Sequence, residues 1–410
     1  MRRLIVDSGD DVLATEDAYA VRRPGEPHLV AGVTGEEHLV ARLDRGDVRA
    51  DGGDDPRTAL RGFVRRDDQA ARELGLVERL HHDAIVERLE RRVGERMPFE
   101  HVLHDTRSVR VGRHDVPVTN PDKIFFPERG LTKLDLVSYY VGVADLALPH
   151  LRRRPFHMKR FPNGVGEDFF HQKRVPKNHP EYVDEVFVQF PSGHSTVFAI
   201  VDNAAALAWV ANLGCVELHT WHSRVPNIER PDYLLIDLDP TSDGQWPHVR
   251  TIALVVKEVM DELGLRSYPK TSGATGLHVL APIRPEIRFP DVRRLAKALA
   301  EEVERRIADQ SVATTTWRVA DRVGVFVDFG QNARDRTIAA AYSVRPTPDA
   351  RVSAPLRWDE VAAVEPEAFT LETMAARIEE VGDPTAGMWR NPPSLRPRFA
   401  KLGLEPPAEA

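Results

Sequence analysis

The chain has 410 residues, 42% of them hydrophobic and 29% charged, with a formal net charge of -7 and one cysteine, Cys215. These values fit a globular chain long enough for two or three domains. They exclude an intramolecular disulfide or a cysteine-based zinc cluster, and they give no global attraction to nucleic acid, so any DNA contact must rest on a local basic surface.

No apolar run reaches membrane-spanning length, and the opening Met1-Arg2-Arg3-Leu4-Ile5-Val6-Asp7 turns acidic too soon for a secretory signal. The first 110 residues or so are rich in Asp, Glu, Arg and Gly. Weak alternation marks residues 39–43, and Asp51-Gly52-Gly53-Asp54-Asp55-Pro56 reads as a loop. Leu76, Leu80, Ile85, Leu89 and Val93 recur at helical spacing and predict a helix over residues 74–97. His81, His82, His101 and His104 have no carboxylate or cysteine pattern beside them and read as surface residues rather than metal ligands.

A second unit begins near Val109. Asn120 and Lys123 lie in a turn. Thr132 is a predicted N-cap with Asp135 in capping-box position, and Leu136, Tyr140, Val143 and Ala147 predict the buried stripe of a helix ending near Pro149. Residues 152–161 form the most basic stretch, with interleaved aromatics and then Phe169-Phe170. A solvated charge run is the usual meaning of such a stretch, whereas the aromatics favour a nucleic-acid surface. Residues 186–200 alternate like a hairpin around Pro191-Ser192-Gly193. Residues 203–213 predict a short helix, and 216–221 a strand carrying His219.

Residues 231–240, Pro-Asp-Tyr-Leu-Leu-Ile-Asp-Leu-Asp-Pro, organise the remainder. In a strand, side chains two apart share a face, so Asp237 and Asp239 project together, about 7 Å apart, while Leu234, Ile236 and Leu238 fill the other face. Two such carboxylates repel unless a cation lies between them, and hard divalent cations take carboxylate oxygens. Alone, Asp-x-Asp-Pro is equally a strand end closed by turn formers. An amphipathic helix is predicted over 249–263. The stretch Lys270-Thr271-Ser272-Gly273-Ala274-Thr275-Gly276-Leu277-His278 then bends tightly at two glycines. Its amides and hydroxyls, with the positive charge of Lys270, suit an anion, and a plain hairpin turn is the competing reading. It lacks the Gly-Lys-Ser/Thr end of a Walker loop. After a charged helix over 291–307, the strand 323–329 carries Asp328, followed by Gln331 and Asn332. From Pro355 a helical tail is expected.

Three carboxylates and a glycine-bent Ser/His loop are what in-line phosphoryl or nucleotidyl transfer uses, with two divalent ions between the carboxylates. The loop would hold a triphosphate, and His278 would donate to a phosphate oxygen. No lysine stands in a Lys-x-Asp-Gly context, so a covalent nucleotidyl lysine is not expected.

On these residues the segment 109–400 resembles the polymerase domain of bacterial ligase D, in the archaeo-eukaryotic primase superfamily. Asp237-Leu238-Asp239 matches the family's first motif and Ser272 to His278 its second. Asp328 with Gln331 and Asn332 matches the third, and Tyr342-Ser343-Val344-Arg345 the element after it. Thr275 stands where members often carry Lys, Thr347 where a second Arg often follows, and Ala341 where Pro is usual. The resemblance implies an α+β fold: a primase-polymerase core of mixed sheets flanked by helices, beside a small α/β or helical N-terminal region. It implies that Asp237, Asp239 and Asp328 hold two divalent cations, manganese or magnesium. Ser272, Gly273, Thr275, Gly276, His278, His219, Lys159, Gln331 and Arg345 are then expected around the nucleotide. Asn120, Lys123 and Lys133 fall at a DNA 5′-phosphate site, and Phe169 and Phe170 at a template-stacking platform.

The expected organisation is an extension of unknown role over 1–108, the polymerase-like domain over 109–400 and a tail over 401–410, as a stand-alone form without ligase or nuclease domains. The expected activity is template-directed nucleotidyl transfer that fills gaps or extends ends in DNA repair and end joining, with a leaning toward ribonucleotides. Expected partners are gapped or broken DNA, NTP or dNTP, and, as candidates, Ku and a separate ligase. The expected location is the cytoplasm, at the nucleoid, with no membrane. A primer-independent primase and a non-catalytic module that binds 5′-phosphorylated ends are the competing readings.

Overall fold

In the computed structural model the chain divides into two compact units, Met1–Val102 and Leu103–Ala410. The structure describes residues 106–309 and 311–408, together with four short strands of the first unit. Those strands, β1 (Val12–Ala14), β2 (Ala18–Val21), β3 (Leu29–Val33) and β4 (Ala41–Leu43), form an antiparallel meander in chain order. The loop expected at 51–56, the helix expected over 74–97 and the histidines at 81, 82, 101 and 104 lie outside the described residues.

The second unit opens with a hairpin of β5 (Thr106–Val111) and β6 (His114–Thr119), then the short pair β7 (Ile124–Phe126) and β8 (Leu131–Thr132). Helix α1 (Lys133–Gly142) starts on the expected capping box. Asp135 donates its amide to Thr132 Oγ1 at 3.2 Å, and its carboxylate accepts from the Thr132 amide at 2.7 Å. The apolar stripe continues past Gly142, but the helix does not. Val143 leaves helical dihedrals at φ -97° and ψ 7°, and α2 (Ala144–Leu151) resumes beyond it with Pro149 inside. Two helices thus stand where the periodicity predicts one.

Two sheets follow. The first contains β9 (Pro155–Arg160), β10 (Phe170–Gln172), β11 (Asp184–Gln189), β12 (Ser195–Ile200) and β13 (Cys215–Trp221). β11 and β12 are the expected hairpin. Between β12 and β13 runs α3 (Ala204–Asn212), with Asn203 as its N-cap. The second sheet contains β14 (Tyr233–Pro240), β15 (Tyr268–Thr271), β16 (Leu277–Pro282), β17 (Ala313–Thr314) and β18 (Val325–Asp328). Strand β19 (Thr337–Ala339) returns to the first sheet, whose order is β11-β12-β9-β13-β19 with β10 also on β9. The second sheet runs β15-β16-β14-β18-β17, antiparallel except for the parallel β17–β18 pair.

Helices α4 (Trp246–Glu262) and α5 (Phe289–Arg306) pack on the second sheet, against β14 and each other. Leu234, Ile236 and Leu238 point into this main core, while Tyr233 and Leu235 on the opposite face meet Leu280, Ile338 and Met388. β14 is therefore apolar on both faces until Asp237. Beyond Pro355 the described residues form two short α-helices, α6 (Met374–Val381) and α7 (Arg398–Lys401), and one 3-10 turn at Pro366–Ala368. Prolines at 366, 384, 392, 393 and 397 withhold the amide donors that a longer helix would need. Among the described residues no helix is long and apolar enough to cross a membrane.

The basic stretch 152–161 is not a solvated run. Its centre is β9, an inner strand. Arg154 is 1% exposed. It lies 2.7 Å from Asp232, whose carboxylate also accepts from Arg224 at 2.6 Å. Burial alone would raise the Asp232 carboxyl, but the two guanidiniums outweigh it and hold the group below its ordinary value.

Candidate active site

Register brings the carboxylates together. Asp237 on β14 lies directly opposite Asp328 on β18, and on its other side opposite His278 on β16. Asp239 shares the face of Asp237, two residues on. One oxygen from each of Asp237, Asp239 and Asp328 lies within 4.8 Å of the others. Asp237 and Asp328 are buried and Asp239 is exposed. Desolvation by the surrounding protein pushes all three carboxyls above their ordinary value, at Asp239 despite its open edge, and mutual repulsion adds to it at Asp239 and Asp328. Three converging carboxylate oxygens form a hard donor set that fits a divalent cation.

Asp328 is fixed from behind. The Gly330 amide donates to its Oδ1 at 2.5 Å, and Gln331 Nε2 to its Oδ2 at 3.2 Å. Gln331 thus orients a carboxylate. Asn332 clamps β14 instead: its side chain accepts from the Leu235 amide at 2.9 Å and donates to the Leu235 carbonyl at 2.6 Å.

The stretch from Lys270 to His278 is a hairpin between β15 and β16, with its bend over the acidic strand. Its glycines answer to packing. A Cβ on Gly276 would stand 2.4 Å from the Leu238 carbonyl oxygen, and one on Gly273 2.5 Å from Arg345 Cγ, with φ there at +73°. The amides of Ala274 and Gly276 donate to Ser272 Oγ at 3.1 and 3.0 Å, so these two donors are spent inside the loop rather than offered outward. Thr275 is exposed at the tip. Lys270 is not at the loop mouth, as a charge for a triphosphate would be. It is 3% exposed, and its Nζ lies 2.6 Å from His278 Nδ1 and donates to Ser353 Oγ at 2.6 Å. His278 Nε2 in turn lies 3.2 Å from Asp237 Oδ1.

Lys159, His219 and Arg345 converge on a residue that the sequence reading passes over, Glu217. Its buried carboxylate pairs with Lys159, with Arg345 Nε at 3.0 Å and with His219 Nε2 at 3.6 Å. Burial would raise this carboxyl, but His219, Arg345 and Lys159 together lower it to about 2. Arg345 also acts electrostatically on Asp237 and Asp239. The Tyr-Ser-x-Arg element that carries it is tightly docked. Tyr342 adopts φ +65°, Tyr139 donates to its carbonyl at 2.9 Å, and Ser343 Oγ accepts from the Leu218 amide at 2.8 Å.

A second cationic group lies at the start of α1. Lys123 donates to the Pro162 carbonyl at 2.7 Å and to Asn163 Oδ1 at 2.8 Å, and Lys133 donates to the Thr119 carbonyl at 2.8 Å. Burial, and then Lys123 and Arg160, lower Lys133 to about 8. Asn120 turns the chain beside them at φ 50°. Phe169 and Phe170 are 50% and 38% exposed. Lys159 lies 4.5 Å from the centre of the first ring and Arg160 5.2 Å from that of the second. Neighbouring cations on β9 thus hold the two rings, one from each basic group.

Glu217 had a signal in the sequence: it stands two residues before His219 on a predicted strand, so the two share a face. Ser353 had none, because its contact depends on how 351–353 pairs with 342–345.

The family model described as "LigD, primase-polymerase domain" matches residues 132–385. The multifunctional non-homologous end joining protein LigD of Mycolicibacterium smegmatis is 33% identical over 271 residues, which are 65% of this chain and 35% of that protein. The bifunctional LigD of Bacillus subtilis is 30% identical over 292 residues, 69% of this chain and 46% of that protein. The chain thus spans less than half the length of either relative. Among solved structures, the polymerase domain from Mycobacterium tuberculosis ligase D in complex with DNA superposes with a TM-score of 0.63 at 32% identity, covering 67% of this chain and 98% of that one.

Proposed function

Because the chain belongs to the ligase D primase-polymerase family, we propose that it is a DNA-directed nucleotidyltransferase that fills gaps or extends broken ends in non-homologous end joining. One observation carries the reading: three carboxylates from two paired strands meet within 4.8 Å, beside a cluster of basic side chains.

Divalent ions held by such a triad lower the pKa of an attacking hydroxyl and steady the leaving oxygen of an in-line displacement. In this reading Asp237, Asp239 and Asp328 would hold two such ions, manganese or magnesium, which would activate the primer 3′-hydroxyl. Lys159, His219 and Arg345 receive the triphosphate, and the loop from Ser272 to Gly276 closes against it. His278 faces the same site from β16. The basic group of Asn120, Lys123 and Lys133 takes the 5′-phosphate of the downstream strand, where lysines that pair with no carboxylate among the described residues suit a terminal phosphate. Phe169 and Phe170 stack template bases. Residues 109–400 form the catalytic part, and the reading assigns no role to 1–108. By the same family likeness it includes ribonucleotides among the substrates, the nucleoid as the place of work, and Ku and a separate ligase as partners.

The test is primer extension on a 5′-phosphorylated gapped duplex, with NTP or dNTP and with manganese or magnesium. The wild-type chain extends the primer, and Asp237→Ala does not, while still binding the duplex. Extension by Asp237→Ala at the wild-type rate overturns the reading.

A further inference from the structure

We propose that Glu217 is the positioning residue of the nucleotide pocket: its single buried carboxylate sets where Lys159, His219 and Arg345 point to receive a nucleoside triphosphate. The inference rests on the polymerase reading above and names the group that organises the binding side chains of that site.

The three side chains come from three places in the fold. Lys159 is on β9, directly opposite Glu217 in register, His219 is on β13, and Arg345 lies beyond β19. Nothing in their chain positions fixes their heads relative to one another. Glu217 does so: it is 1% exposed and touches all three. The register of β13 against β9 shifts between Cys215 and Glu217. Such a bulge re-aims a side chain, here Glu217, toward the space between the strands and Arg345.

Charge separates this arrangement from a structural ion pair. Burial lowers His219 toward its neutral form, so Lys159 and Arg345 face one carboxylate and a positive charge is left over. The three side chains each keep about a fifth of their surface open (19% for Lys159, 19% for His219, 21% for Arg345), whereas the carboxylate that holds them is closed. A buried anion with partly open cations around it is a mount for a polyanion, because the cations keep donors for the ligand while the carboxylate fixes their positions. The mount is also placed between the other two parts of the site. Arg345 packs its stem over Gly273 and acts on Asp237 and Asp239. Lys159 faces Phe169, 4.5 Å from the ring centre.

The experiment measures steady-state nucleotide incorporation by the full chain on a gapped duplex, with Glu217→Gln, Glu217→Asp, Arg345→Lys and the Glu217→Gln/Arg345→Lys double variant. A thermal melt of each confirms folding. Glu217→Gln raises the nucleotide KM by about tenfold and moves kcat by no more than about threefold, the signature of lost ground-state binding. Duplex affinity stays at the wild-type value, and Glu217→Asp falls between. Arg345→Lys costs less on the Glu217→Gln background than on wild type, because the two residues act as one unit. If Glu217→Gln does not fold, a raised KM in Glu217→Asp upholds the proposal and a wild-type KM there overturns it. A wild-type KM in folded Glu217→Gln, or strictly additive losses in the double variant, removes the role of Glu217 and leaves the polymerase reading standing. Absence of incorporation by the wild-type chain with either metal overturns both.

Discussion

Nζ of Lys270 lies 2.6 Å from Nδ1 of His278, at the closed end of the hairpin beside the acidic strand. Burial lowers both groups well below their ordinary values, and with Lys270 as the donor of this contact Nδ1 is the bare nitrogen and Nε2 the protonated one. Nε2 is the nitrogen that faces Asp237, at 3.2 Å. Lys270 therefore sets the tautomer of the histidine beside a candidate metal ligand, and Ser353 Oγ holds Lys270 in place. Partners one step behind a metal site typically change metal affinity or activity by about 10- to 100-fold when lost. Lys270→Met keeps the volume and removes the donor. Its manganese-dependent extension is expected to fall within that range, and a manganese titration followed by electron paramagnetic resonance is expected to show weaker binding. Wild-type values in both measurements would make Lys270 a buried bystander.

The basic group proposed to take the 5′-phosphate carries its own pH signature. Lys133 is lowered to about 8 by burial and by the charges of Lys123 and Arg160. Its ammonium is about nine-tenths present at pH 7 and about one-tenth present at pH 9. The preference for a 5′-phosphate over a 5′-hydroxyl on a gapped duplex is thus expected to be full at pH 7 and to shrink through pH 8 to 9. Fluorescence anisotropy with the two duplexes checks it. In Lys133→Arg, whose side chain stays charged through this range, the preference is expected to persist at pH 9.

Much of this was legible in the chain. Period-two spacing placed Asp237 and Asp239 on one face, and the capping box at Thr132 and Asp135 set the start of α1 to the residue. What sequence spacing could not carry was the third dimension of polar burial. Lys270 read as a charge for the loop mouth, because a lysine beside a Gly-x-x-Gly loop gives no sign that Ser353 lies beneath it. Glu217 read as one more polar residue of an alternating strand, since its three partners are 58, 2 and 128 positions away along the chain. The break at Val143 was hidden for a different reason: the apolar stripe runs unbroken across it, so periodicity alone reports a single helix.

Three histidines make the fold acid-sensitive. His150, His157 and His222 are each lowered to about 3, chiefly by burial. The folded state therefore holds them neutral, whereas the unfolded chain protonates them near the ordinary value of about 6.5. Above that pH both states are neutral and stability does not depend on these groups. As pH falls from about 6.5 toward 3 the unfolded state takes up protons that the folded state refuses, and stability is lost at about 1.4 kcal/mol per pH unit for each histidine. Urea midpoints are expected to hold level from pH 8 to 7 and fall steeply from 6 to 5. His222→Gln should reduce the slope by about one proton's worth. A pH slope left unchanged in His222→Gln would contradict the neutral assignment.

Gly273 and Gly193 separate conformational strain from crowding, because both adopt positive φ, +73° and +85°, and only one is packed. A methyl on Gly193 meets nothing within 4 Å. Gly193→Ala should therefore cost only the left-handed backbone penalty, about 1–2 kcal/mol, with nucleotide KM unchanged. A methyl on Gly273 would stand 2.5 Å from Arg345 Cγ and 2.8 Å from the Ser353 amide nitrogen. The first neighbour can swing aside, but only by leaving Glu217, and the second is backbone. Gly273→Ala should add about 1–3 kcal/mol of overpacking to the same penalty and raise the nucleotide KM, since Arg345 is displaced with it. Thermal melts and steady-state incorporation on the two variants decide the point. Equal losses of stability, or an unchanged KM in folded Gly273→Ala, would mean that Arg345 reaches the nucleotide from elsewhere than its seat on Gly273.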